Sequence, residues 1–452
     1  MPIPESEQQL LLETLKAFLR IPSVSTDPNH KADILLAAEF VAAKLRSAGL
    51  AEVQLISGAG HPMVYGEWLG APGKPTLLFY GHYDVQPPEP LDEWISPAFE
   101  PTVRNNNIYA RGATDDKGQT LILMEAVART LARTGKLPVN VKFLIEGEEE
   151  VGGEAIEAYV KSKPARLQAD AAIICDSEMF APELPTICVG LRGIIYGELH
   201  ITGAAQDLHS GVYGGAVPNP LQAAAEIIAA LKGRDGKIAI PGFYDAVQAP
   251  SMAEREAWAS LPFNEEEYRV KEVGAKQLTG ETGIGVLERV WARPTFEVHG
   301  IKGGFIGDGA KTVIPAKAIV KISTRLVPNQ DPEIANRQLS EAIAAACPAG
   351  VTAEWKLIHG APPCVVDTAN PFIEAAATAM ERVFGNKTVF IRSGGSIPVV
   401  GLLQKELGLP CILMGFGLPD DNLHAPNEKL FLPNFFRGIE AVEFFLEESA
   451  KA

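Results

Sequence analysis

VKFLIEGEEEVGG, residues 141–153, is an apolar run that ends in acid: a stretch with the make-up of a buried strand leads straight into Glu146, Glu148, Glu149 and Glu150. Carboxylates packed this closely raise one another's pKa and oppose folding unless positive charge lies among them. The plain alternative is an acidic turn opening the next helix, where the N-terminal dipole favours Glu. The same pattern recurs elsewhere. TLLFYGHYDV (76–85) ends in His82 and Asp84, AAIICDSE (171–178) ends in Asp176, and CILMGFGLPDDNLHAPNE (411–428) runs off its apolar stretch to His424. RGATDDKGQTLILMEA (111–126) sets Asp115 and Asp116 just ahead of a helical pattern. Taken singly, these are a surface histidine, an N-cap pair and a turn-capping aspartate. Taken together they put ligand-type side chains where α/β sheets collect ligands, beyond the carboxyl ends of strands.

Around these runs the first 190 residues alternate helical stretches (roughly 6–20, 31–49, 117–134 and 153–162) with strand patterns, which predicts an α/β domain built on a mostly parallel sheet flanked by helices. The pattern changes at GIIYGELHITGA (193–204). A helix follows at about 219–233, then a long irregular stretch rich in Pro, Trp and Glu to about 295, strand-like AIVKISTRLVP, a helix near 332–346 and strand-like VTAEWKLIH. That order suggests a smaller α+β domain with a β-α-β-β-α-β, ferredoxin-like arrangement. After about residue 362 the first pattern resumes, with helices near 371–384, 396–407 and 433–447. The expected organisation is therefore a catalytic domain at 1–190 and 362–452, interrupted by a lid or dimerisation domain at 191–361.

At 452 residues the chain is long enough for two domains. A formal charge of −16 excludes nucleic acid as a partner, because phosphate binding needs a basic face. The five cysteines are scattered and mostly lie in apolar runs, without CxxC spacing, so a reducing, cytoplasmic compartment is expected. The N-terminal stretch carries acid and helical spacing rather than a leader pattern, and no apolar run approaches the ~20 residues of a membrane span.

Two imidazoles with three or four carboxylates form a nitrogen and oxygen donor set suited to a pair of zinc, manganese or cobalt ions. Sharing one carboxylate, such a pair would sit about 3.5–4 Å apart. Asp84, two positions beyond His82, is placed to orient the imidazole through its ring N–H.

GHYDVQP (81–87), YARGATDDKG (109–118), EGEEEVGG (146–153), ICDSE (174–178), DLHSGVYGG (207–215), TRLVPN (324–329), GGSIPV (394–399) and DDNLHAPNE (420–428) together carry a close resemblance. The chain resembles the dinuclear metallopeptidase family of aminoacylase, carboxypeptidase G and the carnosinases over nearly its whole length. It is most similar to the cytosolic nonspecific dipeptidase branch. The resemblance implies two metal ions, zinc first and manganese or cobalt as alternatives. One would be held by His82, Asp115 and Asp176, the other by Asp115, Glu150 and His424, with Asp115 bridging. It makes Glu149 the general base and leaves Glu148 solvated at a variable position. His209 would reach into the site of the other subunit of a homodimer to stabilise the oxyanion, Arg325 would grip the substrate's carboxylate, and Thr312 and Ser396 would be lesser substrate contacts. A non-proline cis peptide is expected at Asp115–Asp116. The implied reaction is hydrolysis of dipeptides or short peptides by a metal-bridging hydroxide. An N-acyl amino acid deacylase or desuccinylase is the alternative chemistry. A noncatalytic receptor on the same fold would predict a damaged ligand set, whereas all five ligands and the base are present.

Overall fold

The computed structural model describes residues 2–58 and 60–452, and its chain divides into two compact units. The first comprises Met1–Val189, Val366–Ile391 and Pro398–Ala452; the second comprises Gly190–Val365 and Arg392–Ile397.

The first unit is built on a mixed sheet. Its strands run in the order Ala51–Ile56, Met63–Trp68, Asn140–Glu146, Thr76–His82, Ala171–Ile174, Cys411–Leu413 and Thr186–Leu191. The four in the middle are parallel, and the flanking pairs are antiparallel. Asn140–Glu146 is buried along its whole length, as expected of a strand covered on both faces. Lys142 is tolerated there because its ammonium donates to the carbonyls of Arg166 (2.7 Å) and Gln168 (2.8 Å). The helix Lys117–Thr134 packs on Thr76–His82 and against Glu5–Leu19 and Leu432–Ser449. It ends at Gly135, whose φ of 72° closes the last turn.

The second unit carries a four-stranded antiparallel sheet ordered Thr352–Ala361, Gly193–Thr202, Lys317–Leu326, Thr295–Gly303. The helices Pro220–Leu231 and Pro332–Ala346 cover one face, burying Ile195, Leu199, Val320 and Ile322 against Ile227 and Leu339. This is the ferredoxin-like β-α-β-β-α-β arrangement. Along Gly193–Thr202 burial alternates residue by residue, so the second face of the sheet carries Ile194, Tyr196, Glu198 and His200.

The segment expected to be irregular up to about 295 contains the helices Met252–Ala259 and Val286–Ala292, the first closed by a reciprocal capping box of Ser251 and Glu254. Arg392–Ile397, inside the sequence range assigned to the first domain, clusters with the second unit instead. Arg192 holds it there: its backbone N–H donates to Gly395 O (3.1 Å) and its guanidinium Nε to Gly394 O (2.9 Å). Among the described residues no helix is long and apolar enough to cross a membrane.

Candidate metal centre

Parallel pairing brings the carboxyl ends of the central strands together, with His82 opposite Glu146 in register. His82 is the last residue of its strand and fully buried. Asp176 follows Ile174 by two residues, and Glu149 and Glu150 open the short 3-10 turn Glu149–Val151 after Gly147. Asp115 lies in the loop ahead of Lys117–Thr134, and the Asp115–Asp116 peptide is cis. Asp116 is not a candidate ligand; its Oδ2 accepts from His82 N (3.1 Å) and Thr120 Oγ1 (2.7 Å) and so ties the ligand strand to the helix. His424 lies in the loop before Lys429–Phe431 at a φ of 60°.

These loops bring the candidate ligands into two groups sharing one carboxylate. His82, Asp115 and Asp176 each offer a donor atom within 4.8 Å of the others, and so do Asp115, Glu150 and His424. The two oxygens of Asp115 face opposite ways, Oδ1 lying 3.1 Å from His82 Nε2 and Oδ2 2.9 Å from His424 Nε2. His424 Nε2 is also 3.4 Å from Glu150 Oε2. Asp84 sits behind His82, with its carbonyl 3.1 Å and its Oδ1 3.4 Å from Nδ1, which leaves Nε2 turned toward Asp115. Its Oδ2 accepts from Glu150 N (3.2 Å), so Asp84 holds the ligand ring through its backbone carbonyl and the ligand turn through its carboxylate. Gln86, which the sequence reading did not single out, donates to Glu150 Oε2 (2.7 Å). Its place in GHYDVQP was the available signal.

Glu148 corrects one expectation. It is half-buried rather than solvated, accepting from His61 N (2.8 Å) in the loop before Met63–Trp68 and from Ala155 N (3.2 Å) in the first turn of the helix Glu154–Ser162, two amides that need an acceptor.

The acids resist ionisation where they stand. Burial first, and then the neighbouring carboxylates, push Asp176 up to about 6 and Glu150 up to about 8. The same causes put Glu149 well above the usual carboxylate range. Asp115 goes the other way: burial works to raise it, but hydrogen bonds from His424 and His82 outweigh burial and hold it low. Those bonds lift His424 to about 9, and His82 rises well above its ordinary value against the pull of burial. A buried pocket of acids that can ionise only beside positive charge, lined with nitrogen and oxygen donors and without thiolate, fits a pair of divalent cations.

The remaining candidates lie in the second unit. His209 ends the short strand Leu208–His209, pairs in register with Val313 and is exposed. Ser210 N donates to the carbonyl of Thr312 (3.1 Å), which brings these two loops side by side. Gly211 N donates to His209 Nδ1 (3.0 Å), so the neutral ring carries its proton on Nε2 and presents a donor outward. Arg325 Nη1 donates to Ser396 Oγ (2.8 Å), and Ser396 in turn donates to the carbonyl of Arg192. Among the described residues Arg325 has no acidic side chain within ion-pair distance, although burial holds its pKa below the ordinary arginine value.

The profile of peptidase family M20/M25/M40 matches residues 78–448. The chain is 32% identical over 468 aligned positions to a Cys-Gly metallodipeptidase of Candida albicans, covering 98% of this chain and 95% of that protein. It superposes on an M20 family metallo-carboxypeptidase of Sulfolobus solfataricus with a TM-score of 0.88 at 32% identity, covering 100% of both chains. The human carnosine dipeptidase 1 structure matches with a TM-score of 0.87 at 29% identity, again over 100% of both.

Proposed function

The chain belongs to peptidase family M20/M25/M40, and on that footing we propose that it is a metal-dependent dipeptidase cleaving the amide bond of dipeptides or short peptides with a free C-terminal carboxylate. The observation that carries this reading is the pair of ligand groups joined at Asp115. His82, Asp115 and Asp176 would hold one ion, and Asp115, Glu150 and His424 the other, with zinc our first assignment. When bound, the cations would neutralise the acids, lower the pKa of a bound water and polarise the scissile carbonyl.

The chain's own groups do the rest. Glu149, beside the ligands but not among them, takes the proton of the attacking water and returns it to the departing amine. Asp84 keeps the His82 ring in place. Arg325, braced by Ser396, grips the substrate carboxylate as a bidentate donor, with Thr312 a lesser contact. His209, with Nε2–H directed outward, steadies the oxyanion from the second chain of a homodimer formed through the ferredoxin-like unit. The scattered cysteines support a cytoplasmic setting.

The test is elemental analysis of the purified protein, then chelation and metal return assayed on a dipeptide panel beside N-acetyl and N-succinyl amino acids. Metal-restored turnover of dipeptides is expected. Turnover confined to the N-acyl compounds would move the assignment to a deacylase, and full activity after exhaustive chelation would refute it.

A further inference from the structure

Glu428 is fully buried and takes no part in either ligand group. Its carboxylate is a receptor for the loop that carries Asp115. Oε2 accepts from Arg111 Nη1 (2.8 Å) and Gly112 N (2.9 Å), and Oε1 from Thr114 N (3.0 Å) and Asp115 N (3.1 Å). Arg111, buried as well, spends a further N–H on Pro87 O (3.1 Å), just beyond the His82 strand. Glu428 also closes the loop that presents His424, and Lys429–Phe431 pairs at once with Asn107–Tyr109. Asp421 makes the second tie between the same loops, accepting from Thr114 Oγ1 (2.8 Å), Leu418 N (2.8 Å) and Lys429 Nζ (2.8 Å). Two residues 309 positions apart, Asp115 and His424, thus stand together across two loops tied by two buried carboxylates, of which Glu428 alone binds the Asp115 backbone.

The two ion positions differ in how much they need this. His82 and Asp176 follow directly from neighbouring parallel strands, whose register fixes them. The His424 side chain is 55% exposed and stands on a loop in the left-handed region. We propose that Glu428 is a positioning residue for the ion held by Asp115, Glu150 and His424, and that this ion is the weaker-held of the two. A glutamine at 428 would turn an NH2 toward two of the four N–H groups that the carboxylate satisfies, displacing the Asp115 backbone and the His424 loop while leaving the strand ends in place. The inference rests on the two-ion reading of the site.

Full-length protein is stripped by chelation and titrated with Co2+ alone, following heat and visible absorption. The wild type is expected to take up two ions in a tighter and a weaker step. Because Asp115 is shared, Glu428→Gln should weaken both steps, the second, which also needs the His424 loop, by roughly 10–100-fold and the first by at least several-fold less. Glu443→Gln serves as the control, removing an equally buried carboxylate that binds Arg129 (3.0 Å) and Arg133 (3.4 Å), and should move neither step. If Glu428→Gln does not fold, Glu428→Asp keeps the charge one methylene short and should show the same uneven loss at smaller size. Fewer than two ions in the wild type would sink the two-ion reading itself. Two ions there, with neither step moved or both moved equally by the 428 variant, would overturn the role of Glu428.

Discussion

Glu149 and Glu150 are neighbours in one turn, yet the chemistry asks different things of them. Glu150 contributes an oxygen to the group with Asp115 and His424, whereas Glu149 lies outside both groups. Glu149→Gln should therefore keep both ions by elemental analysis and lose about 10²–10⁴ in kcat; near-wild-type turnover would remove it as the base. The pKa shifts add a second expectation for the stripped protein. Asp176 and Glu150 are raised to about 6 and about 8, so ionising them costs folded-state stability as pH climbs above the ordinary carboxylate range. His424, raised to about 9, contributes stability that is complete below its ordinary value of 6.5 and is lost as pH rises through 9. Both effects have the same sign, so the Tm of the chelated protein should fall from pH 5 to pH 9, and added metal should flatten the profile. A chelated protein more stable at pH 9 than at pH 5 would contradict it. At this scale the sequence was informative wherever a ligand-type residue closes an apolar run, as His82 and Asp176 do. It was silent on Glu428, whose partners Gly112, Thr114 and Asp115 lie more than three hundred positions away and bind through backbone amides that leave no mark in residue type.

The elements were legible in proportion to the regularity of their burial. Asn140–Glu146 and Lys117–Thr134 follow from uninterrupted patterns. Thr295–Gly303 was hidden because its pairing with Lys317–Leu326 shifts register between Val298 and Gly300, which breaks the two-residue alternation a strand is read by. Met63–Trp68 was hidden by Gly66, a residue that weakens the strand signal but is needed where the Leu45 side chain would lie 3.2 Å from a Cβ. Gly81 is a sharper case. A Cβ there would fall 2.0 Å from Thr120 Oγ1 and 3.0 Å from Asp116 Oδ2, so the strand carrying His82 can approach the helix start only without a side chain. Gly81→Ala should cost about 1–3 kcal/mol of stability by overpacking. It should also lower activity beyond what that loss explains, because the shift falls on the His82–Asp116 tie. Thermal melts with metal content measured alongside decide this, and an alanine variant with unchanged Tm and full metal would show the contact to be soft.

For the whole molecule, the second unit begins at Gly190 and the first resumes at Val366, close to where the pattern of the sequence changes and returns. The return of Arg392–Ile397 to the second unit was not readable, since it depends on bonds between Arg192 and residues about two hundred positions on. The proposed homodimer makes a demand that neither unit alone can meet: the Glu149 of one chain must work with the His209 of the other. An isologous pair would contain two such mixed sites. His209→Ala and Glu149→Gln homodimers should each be nearly inactive. In a mixed dimer, one site receives the intact Glu149 of the first chain and the intact His209 of the second, while the other site loses both. If subunits exchange at random, half the dimers are mixed and each has one working site, so equal mixtures should recover about a quarter of wild-type activity. A site in which both residues come from one chain recovers nothing, because every site then carries one lesion. Activity measured on mixed dimers isolated by two affinity tags separates these cases, and a verified mixed dimer as inactive as its parents would place His209 in the same chain's site or in none.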